Sequence, residues 1–223
     1  MRKATILGLV VAAALAVTAV AAPASQAANA QFRCVRTAPC IVQGESAVAT
    51  LQLGGGSSIG CSLAVAGEMP EEYSPSLSVS ASIYGCKVQG IKLPVEMNGC
   101  GFTFHPDAEG FGSHAISTDI TCPAGKEIVV HTGAINCTWK IGAQAGLGGL
   151  TMSESQEVQE GGGFWWVVNS TNGVKNISYT NTGTECFNAP GSHSDGGLNP
   201  NVVLKAYESL AGIPGKRRSL QLS

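Results

Sequence analysis

The residues that could do chemistry are few. Ser58 stands in Gly56-Ser57-Ser58-Ile59-Gly60, which matches the Gly-x-Ser-x-Gly string of serine hydrolases. That string activates a serine only on a sharp strand-to-helix turn beside an oxyanion hole. Here it joins two alternating apolar segments and no helical period follows, so Ser58 reads as part of a hairpin. His105, Asp107 and His114 flank one loop, and His193 with Asp195 sits in another. A histidine beside a carboxylate can relay protons or hold a metal ion. Next to glycine the same residue types close turns through side-chain to backbone hydrogen bonds, and that is the preferred reading of both loops. Trp165 and Trp166 are strand neighbours, so they point to opposite faces. One belongs to the core. The other is either covered by a second sheet or loop, the preferred reading, or is a flat platform for a sugar ring or a protein. Trp165, Trp166, His193 and Asp195 therefore form the candidate ligand surface. No catalytic residue, metal ligand or cofactor is assigned.

The strongest chemical signal is structural. The eight cysteines are Cys34, Cys40, Cys61, Cys86, Cys100, Cys122, Cys137 and Cys186. An even count downstream of a secretory leader reads as a disulfide framework. Zinc ligation would want Cys-x2-Cys pairs or clustered histidines, and the spacing has neither. Sequence alone leaves the connectivity open. Short loops close at the smallest entropic cost, which ranks pairing in sequence order first: Cys34 with Cys40, Cys61 with Cys86, Cys100 with Cys122, Cys137 with Cys186.

The leader itself has a basic start, Met1-Arg2-Lys3, and an uncharged apolar run from Ala4 to Ala22. Ala28-Asn29-Ala30 then supplies small residues for cleavage after Ala30, with Ala24 and Ala27 as near alternatives. No later segment is long and apolar enough to span a bilayer, so an extracellular protein without a transmembrane segment is expected. Cleavage would take Arg2 and Lys3 from a chain with 13 basic and 15 acidic residues, leaving it acidic. Such a balance gives no reason to bind nucleic acid or an anionic membrane. The triplet Lys216-Arg217-Arg218 reads as a solvated tail.

The elements that must position these residues are strands. Ala47, Ala49, Leu51 and Leu53 alternate with smaller or polar residues, glycines follow, and Ile59, Cys61, Leu63 and Val65 share the face of a second strand. Leu77, Val79, Ala81 and Ile83 form the next face. Cys86 falls on the opposite parity, so it needs a bulge near Gly85 to point inward. Asn98-Gly99 fits a two-residue type I′ turn. That turn would set Met97 against Cys100, Val95 against Phe102 and Leu93 against Phe104. Further strands are expected at Ile116–Cys122, 127–132, Cys137–Ile141, Phe164–Val168, Val174–Thr180 and Val202–Tyr207. Ala143–Gly149, Glu154–Gly163 and Asn188–Pro200 read as loops. No mature segment keeps a helical period.

The expected fold is all-β, a disulfide-stapled antiparallel sandwich. Its domains would be a signal peptide at 1–30, an N-terminal segment at 31–45 holding Cys34 and Cys40, a β domain at 46–208 and a flexible tail at 209–223. A short echo, Gly112-Ser113-His114 against Gly191-Ser192-His193, raises a division of the β domain into lobes 46–124 and 125–208.

Taken together, Cys61-Ser62, Tyr84-Gly85-Cys86, Asn98-Gly99-Cys100, Phe102-Thr103-Phe104-His105, Cys122-Pro123-Ala124-Gly125-Lys126 and Gly191-Ser192-His193-Ser194-Asp195-Gly196 form a pattern. It resembles an uncharacterised group of exported bacterial proteins with paired cysteines, over about Ser58 to Tyr207. The resemblance implies architecture and export and no activity. The expected function is non-enzymatic binding, adhesion or surface structure, with a cell-surface glycan or protein as partner. The alternative is a small secreted hydrolase using His105, His114 or His193 with a carboxylate.

Overall fold

The computed structural model describes residues 30–35, 38–54, 58–107, 113–132, 136–158, 164–210 and 213–222. The expected signal segment up to Asn29, together with Gly56, Ser57 and Gly112, lies outside the described residues. Among them the chain forms eighteen strands. The first half holds β1 (Phe32–Cys34), β2 (Cys40–Gln52), β3 (Ser58–Met69), β4 (Tyr73–Ser74), β5 (Leu77–Val88), β6 (Ile91–Lys92), β7 (Val95–Glu96), β8 (Gly101–Pro106) and β9 (His114–Thr121). The second half holds β10 (Ile128–His131), β11 (Thr138–Ile141), β12 (Gln144–Val158), β13 (Phe164–Ser170), β14 (Val174–Thr182), β15 (Gly191–Asn199), β16 (Val203–Leu210), β17 (Ile213–Arg218) and β18 (Leu220–Leu222).

The expected sandwich gives way to a closed barrel. Strands β2, β3, β5, β8, β9, β12, β13 and β16 hydrogen-bond in that order, and β16 pairs back onto β2. Closure removes the exposed edges that an open sheet would leave. Alternation along each strand fills the inside with Val42, Val79, Phe104, Ile116, Met152 and Leu204. Inward apolar and outward polar residues satisfy a barrel as well as a sandwich, which is why the pattern alone did not separate them. On β5, β8 and β9 the outside carries Ser78, Ser80, Thr103, His105 and Asp119. No helix among the described residues is long and apolar enough to cross a membrane.

Strand β2 serves two layers. Its first part pairs with β16 and its last part, Thr50–Gln52, with β15. An extra residue between Ser46 and Ala49 bends it where it changes partners. From there β15, β14, β11, β10 and β7 form a second layer across one end of the barrel. Leu51, Ile83, Phe102 and Ile120 meet Ile128, Ile141, Ile177 and Leu198 between the layers. The barrel draws strands from both halves of the chain, so a division at residue 124 cuts through it.

The local expectations around the cysteines are realised. The four disulfides pair in sequence order, Cys34–Cys40, Cys61–Cys86, Cys100–Cys122 and Cys137–Cys186. Gly85, at φ 64°, is the extra residue of a bulge that turns Cys86 into the core toward Cys61. Asn98 (φ 50°) and Gly99 (φ 82°) make the two-residue turn, closed by Cys100 N–H donating to Met97 O at 2.8 Å. The strands on either side of that turn do not pair with each other. Strand β8 is already bonded on both edges, to β5 and β9, so β7 crosses to the other layer and pairs with β10. Val95 and Met97 still pack against the core.

Three expected loops are largely strand over their described residues. β12 starts at Gln144, takes in the rest of Ala143–Gly149 and ends at Val158, with Gly146 and Gly149 at positive φ where its register shifts against β9. The end of the expected loop Glu154–Gly163, from residue 159, lies outside the described residues. β15 occupies most of Asn188–Pro200. The expected flexible tail is also structured over the described residues 213–222. β17 pairs with β16, and β18 pairs with β1 to close the other end of the barrel with Leu220 and Leu222 buried. Arg217 pairs with Glu157 and Arg218 with Glu208, so two of the three expected solvated charges are held.

Candidate functional site

Strand β14 presents Ile177, Tyr179 and Asn181 to the buried side, and Tyr179 and Asn181 are 3% and 2% exposed. A polar group so placed must find partners. Asn181 Nδ2 donates to Asn188 Oδ1 at 2.7 Å, and Asn181 Oδ1 accepts from Gly191 N–H at 2.8 Å. Asn188 Nδ2 donates in turn to the Tyr179 hydroxyl at 2.9 Å, which donates to Asp195 Oδ1 at 2.8 Å. The segment between β14 and β15 is thereby fixed to the sheet, and Cys137–Cys186 fastens it a second time.

His193 and Asp195 reach this network through a bulge. His193 is opposite Tyr179 and Gly196 opposite Ile177, so β15 carries one residue more than β14 between them. The His193 ring stacks on Tyr179 at 5.1 Å. Its Nε2 lies 2.9 Å from Ala189 O and 3.2 Å from Asn181 Oδ1. Both are acceptors, so Nε2 carries the proton and is a donor held by the frame. Burial, with the Asp195 hydrogen bond second, pushes the Tyr179 hydroxyl up to about 12, so it stays protonated at neutral pH. These groups orient one another. A shallow groove of about 500 Å³ beside them is lined by Glu127, Lys140, Gln144, Ser178, Ser192 and His193.

The other candidates lie elsewhere. His105 Nε2 is 3.0 Å from Asp119 Oδ2 on the outer wall, and Asp119 Oδ1 accepts Gly146 N–H at 2.8 Å. That Gly146 hydrogen bond, ahead of the His105 contact, holds the Asp119 carboxyl below its usual value against the opposing effect of burial. His114 faces the barrel interior and is buried, so it does not share a face with His105. Asp107 is exposed, with its N–H donating to Ala115 O. Ser58 is exposed at the start of β3, a strand and not a helix. Trp165 and Trp166 are both half-buried on β13, away from His193 and Asp195 on β15, so the four do not form one surface.

A feature that the sequence did not point to lies on the outer wall. A trough of about 680 Å³ crosses β16, β2, β3 and β5, where Ala64, Ala66, Ser80 and Ser82 form a low floor. Gln43, Glu45, Lys205 and Tyr207 rise beside it. Lys205 Nζ is 3.1 Å from Glu157, whereas the polar ends of Gln43, Glu45 and Tyr207 have no protein partner among the described residues. The signal that could have found it is the run of alanine and serine on the outward parity of β3 and β5. No family model, no curated protein and no solved structure matches the chain.

Proposed function

We propose that the chain is an exported, non-enzymatic binding protein that works at a cell surface, with the trough on the barrel wall as its binding face. One observation carries this reading. The groups suited to catalysis are engaged in contacts that fix loops, as with His193, Tyr179 and Asp195, while Gln43, Glu45 and Tyr207 line an open trough with their polar ends unengaged. A closed barrel with four disulfides supports the reading, because a rigid surface loses little entropy when it binds. The disulfides also fit an oxidising, extracellular setting. The hydrolase alternative has the His105–Asp119 pair at 3.0 Å, and neither residue lines the trough or the groove.

Sedimentation of the purified, oxidised protein with isolated envelopes of the cells that export it tests the proposal. Wild type should be retained. Ala66→Trp, which fills the trough from an exposed floor position, should lose retention at an unchanged melting temperature. Equal retention of the two proteins overturns the assignment of the trough.

A further inference from the structure

We infer that the trough binds a neutral polysaccharide chain, an inference that rests on the trough being the binding face. Strand register arranges its residues in two rungs. One runs Lys205, Gln43, Ala66, Ser80, and the next runs Val203, Glu45, Ala64, Ser82. The rungs are two residues apart along the strands, a separation of about 7 Å. Each places an amide or carboxylate beside the trough, then a methyl group and a hydroxyl across its floor. An amide both donates and accepts, a carboxylate accepts, and a hydroxyl does either. Ser80 Oγ donates to Ala66 O at 3.0 Å and so keeps its lone pairs for a ligand. Acceptors on Ser80 and Glu45, with Gln43 and Ser82 able to donate, lie along a line and match a chain of ring hydroxyls.

Tyr207, opposite Ile41 on the same outward face, adds an aromatic ring at the end of the trough. An aromatic face with a polar tip suits a sugar ring, which has an apolar face and polar edges. The methyl floor lets such a ring approach the sheet closely. Charge argues for a neutral ligand. Lys205 is paired with Glu157, leaving Glu45 as the one unpaired ion of the lining. A protein partner would want pockets for large anchoring side chains. The floor offers only alanine and serine, and the exposed large apolar residues Val48, Tyr73, Tyr84, Val158 and Phe187 lie outside the trough.

The test uses the same envelopes after two treatments. Periodate opens sugar rings that carry vicinal diols, whereas protease digestion removes protein. Retention of wild type should be abolished by periodate and survive protease. Tyr207→Ala should weaken it roughly tenfold at an unchanged melting temperature, the effect of losing one aromatic contact. Retention that survives periodate and is lost to protease overturns the ligand class, even where Ala66→Trp still blocks it and the trough stands. Retention of Tyr207→Ala equal to wild type overturns the role given to the ring.

Discussion

The Tyr179 hydroxyl donates to Asp195 Oδ1 at 2.8 Å, across a bulge that gives β15 one residue more than its partner strand. The hydroxyl also accepts from Asn188 Nδ2, so it joins the strand to the segment before it. Tyr179→Phe keeps the ring and removes the join, and should cost about 1–2 kcal/mol in denaturant unfolding. The raised pKa adds a dependence on pH. A group that holds its proton more tightly when folded contributes stability that is fully present below its unfolded pKa and lost as pH rises through the folded value. Here the window runs from the ordinary 10.0 to about 12. Wild type should lose more stability across that window than Tyr179→Phe. Parallel curves would count against the buried hydroxyl.

Asp119 works in the opposite direction. The Gly146 hydrogen bond, then the His105 contact, lowers its folded pKa from 3.8. Its contribution is present above that unfolded value and is lost as pH falls through the lower folded one. Asp119→Asn should be less stable than wild type at neutral pH, and the gap should close in acid below pH 3.8. Unfolding curves at neutral and acid pH check this, and a constant gap contradicts it.

Local chemistry was legible in the sequence and long-range pairing was not. The cysteine pairs, the Gly85 bulge and the Asn98-Gly99 turn each follow from a few adjacent residues or a short loop. The pairing of β7 with β10 does not, because it depends on β8 having both edges taken by distant strands. Closure of β16 onto β2 is hidden for the same reason. Both ends of β12 read as loops, the first because of its glycines and the last because Glu154, Ser155, Gln156 and Glu157 are polar in a row. Within the site, His193 and Asp195 stood out by type. Asn181 did not, although an asparagine two residues from Tyr179, on the apolar parity of a strand, was the signal that could have found it. The trough was hidden because small residues carry no motif.

The C-terminal residues should matter to stability, against the expectation of a loose tail. Leu220 is fully buried opposite Cys34. Leu220→Ala should cost about 2–5 kcal/mol, as for other large-to-small core changes. A melting temperature equal to wild type would show that β18 does not close the barrel.

Two glycines of β3 make a matched pair. A Cβ added at Gly67 would run into the Ser78 carbonyl oxygen, whereas one added at Gly60 meets nothing within 4 Å. Gly67→Ala should destabilise by about 1–3 kcal/mol. Gly60→Ala should stay within about 0.5 kcal/mol of wild type. Equal unfolding midpoints would contradict the close approach of β3 and β5.

Turnover is the most direct test of the non-enzymatic account. Purified, oxidised protein is assayed against ester, peptide and glycoside substrates, with His193→Ala and His105→Ala alongside. The account predicts that wild type and both variants give no turnover above buffer, from a preparation that envelopes still retain. Turnover by wild type that disappears in His193→Ala would contradict it.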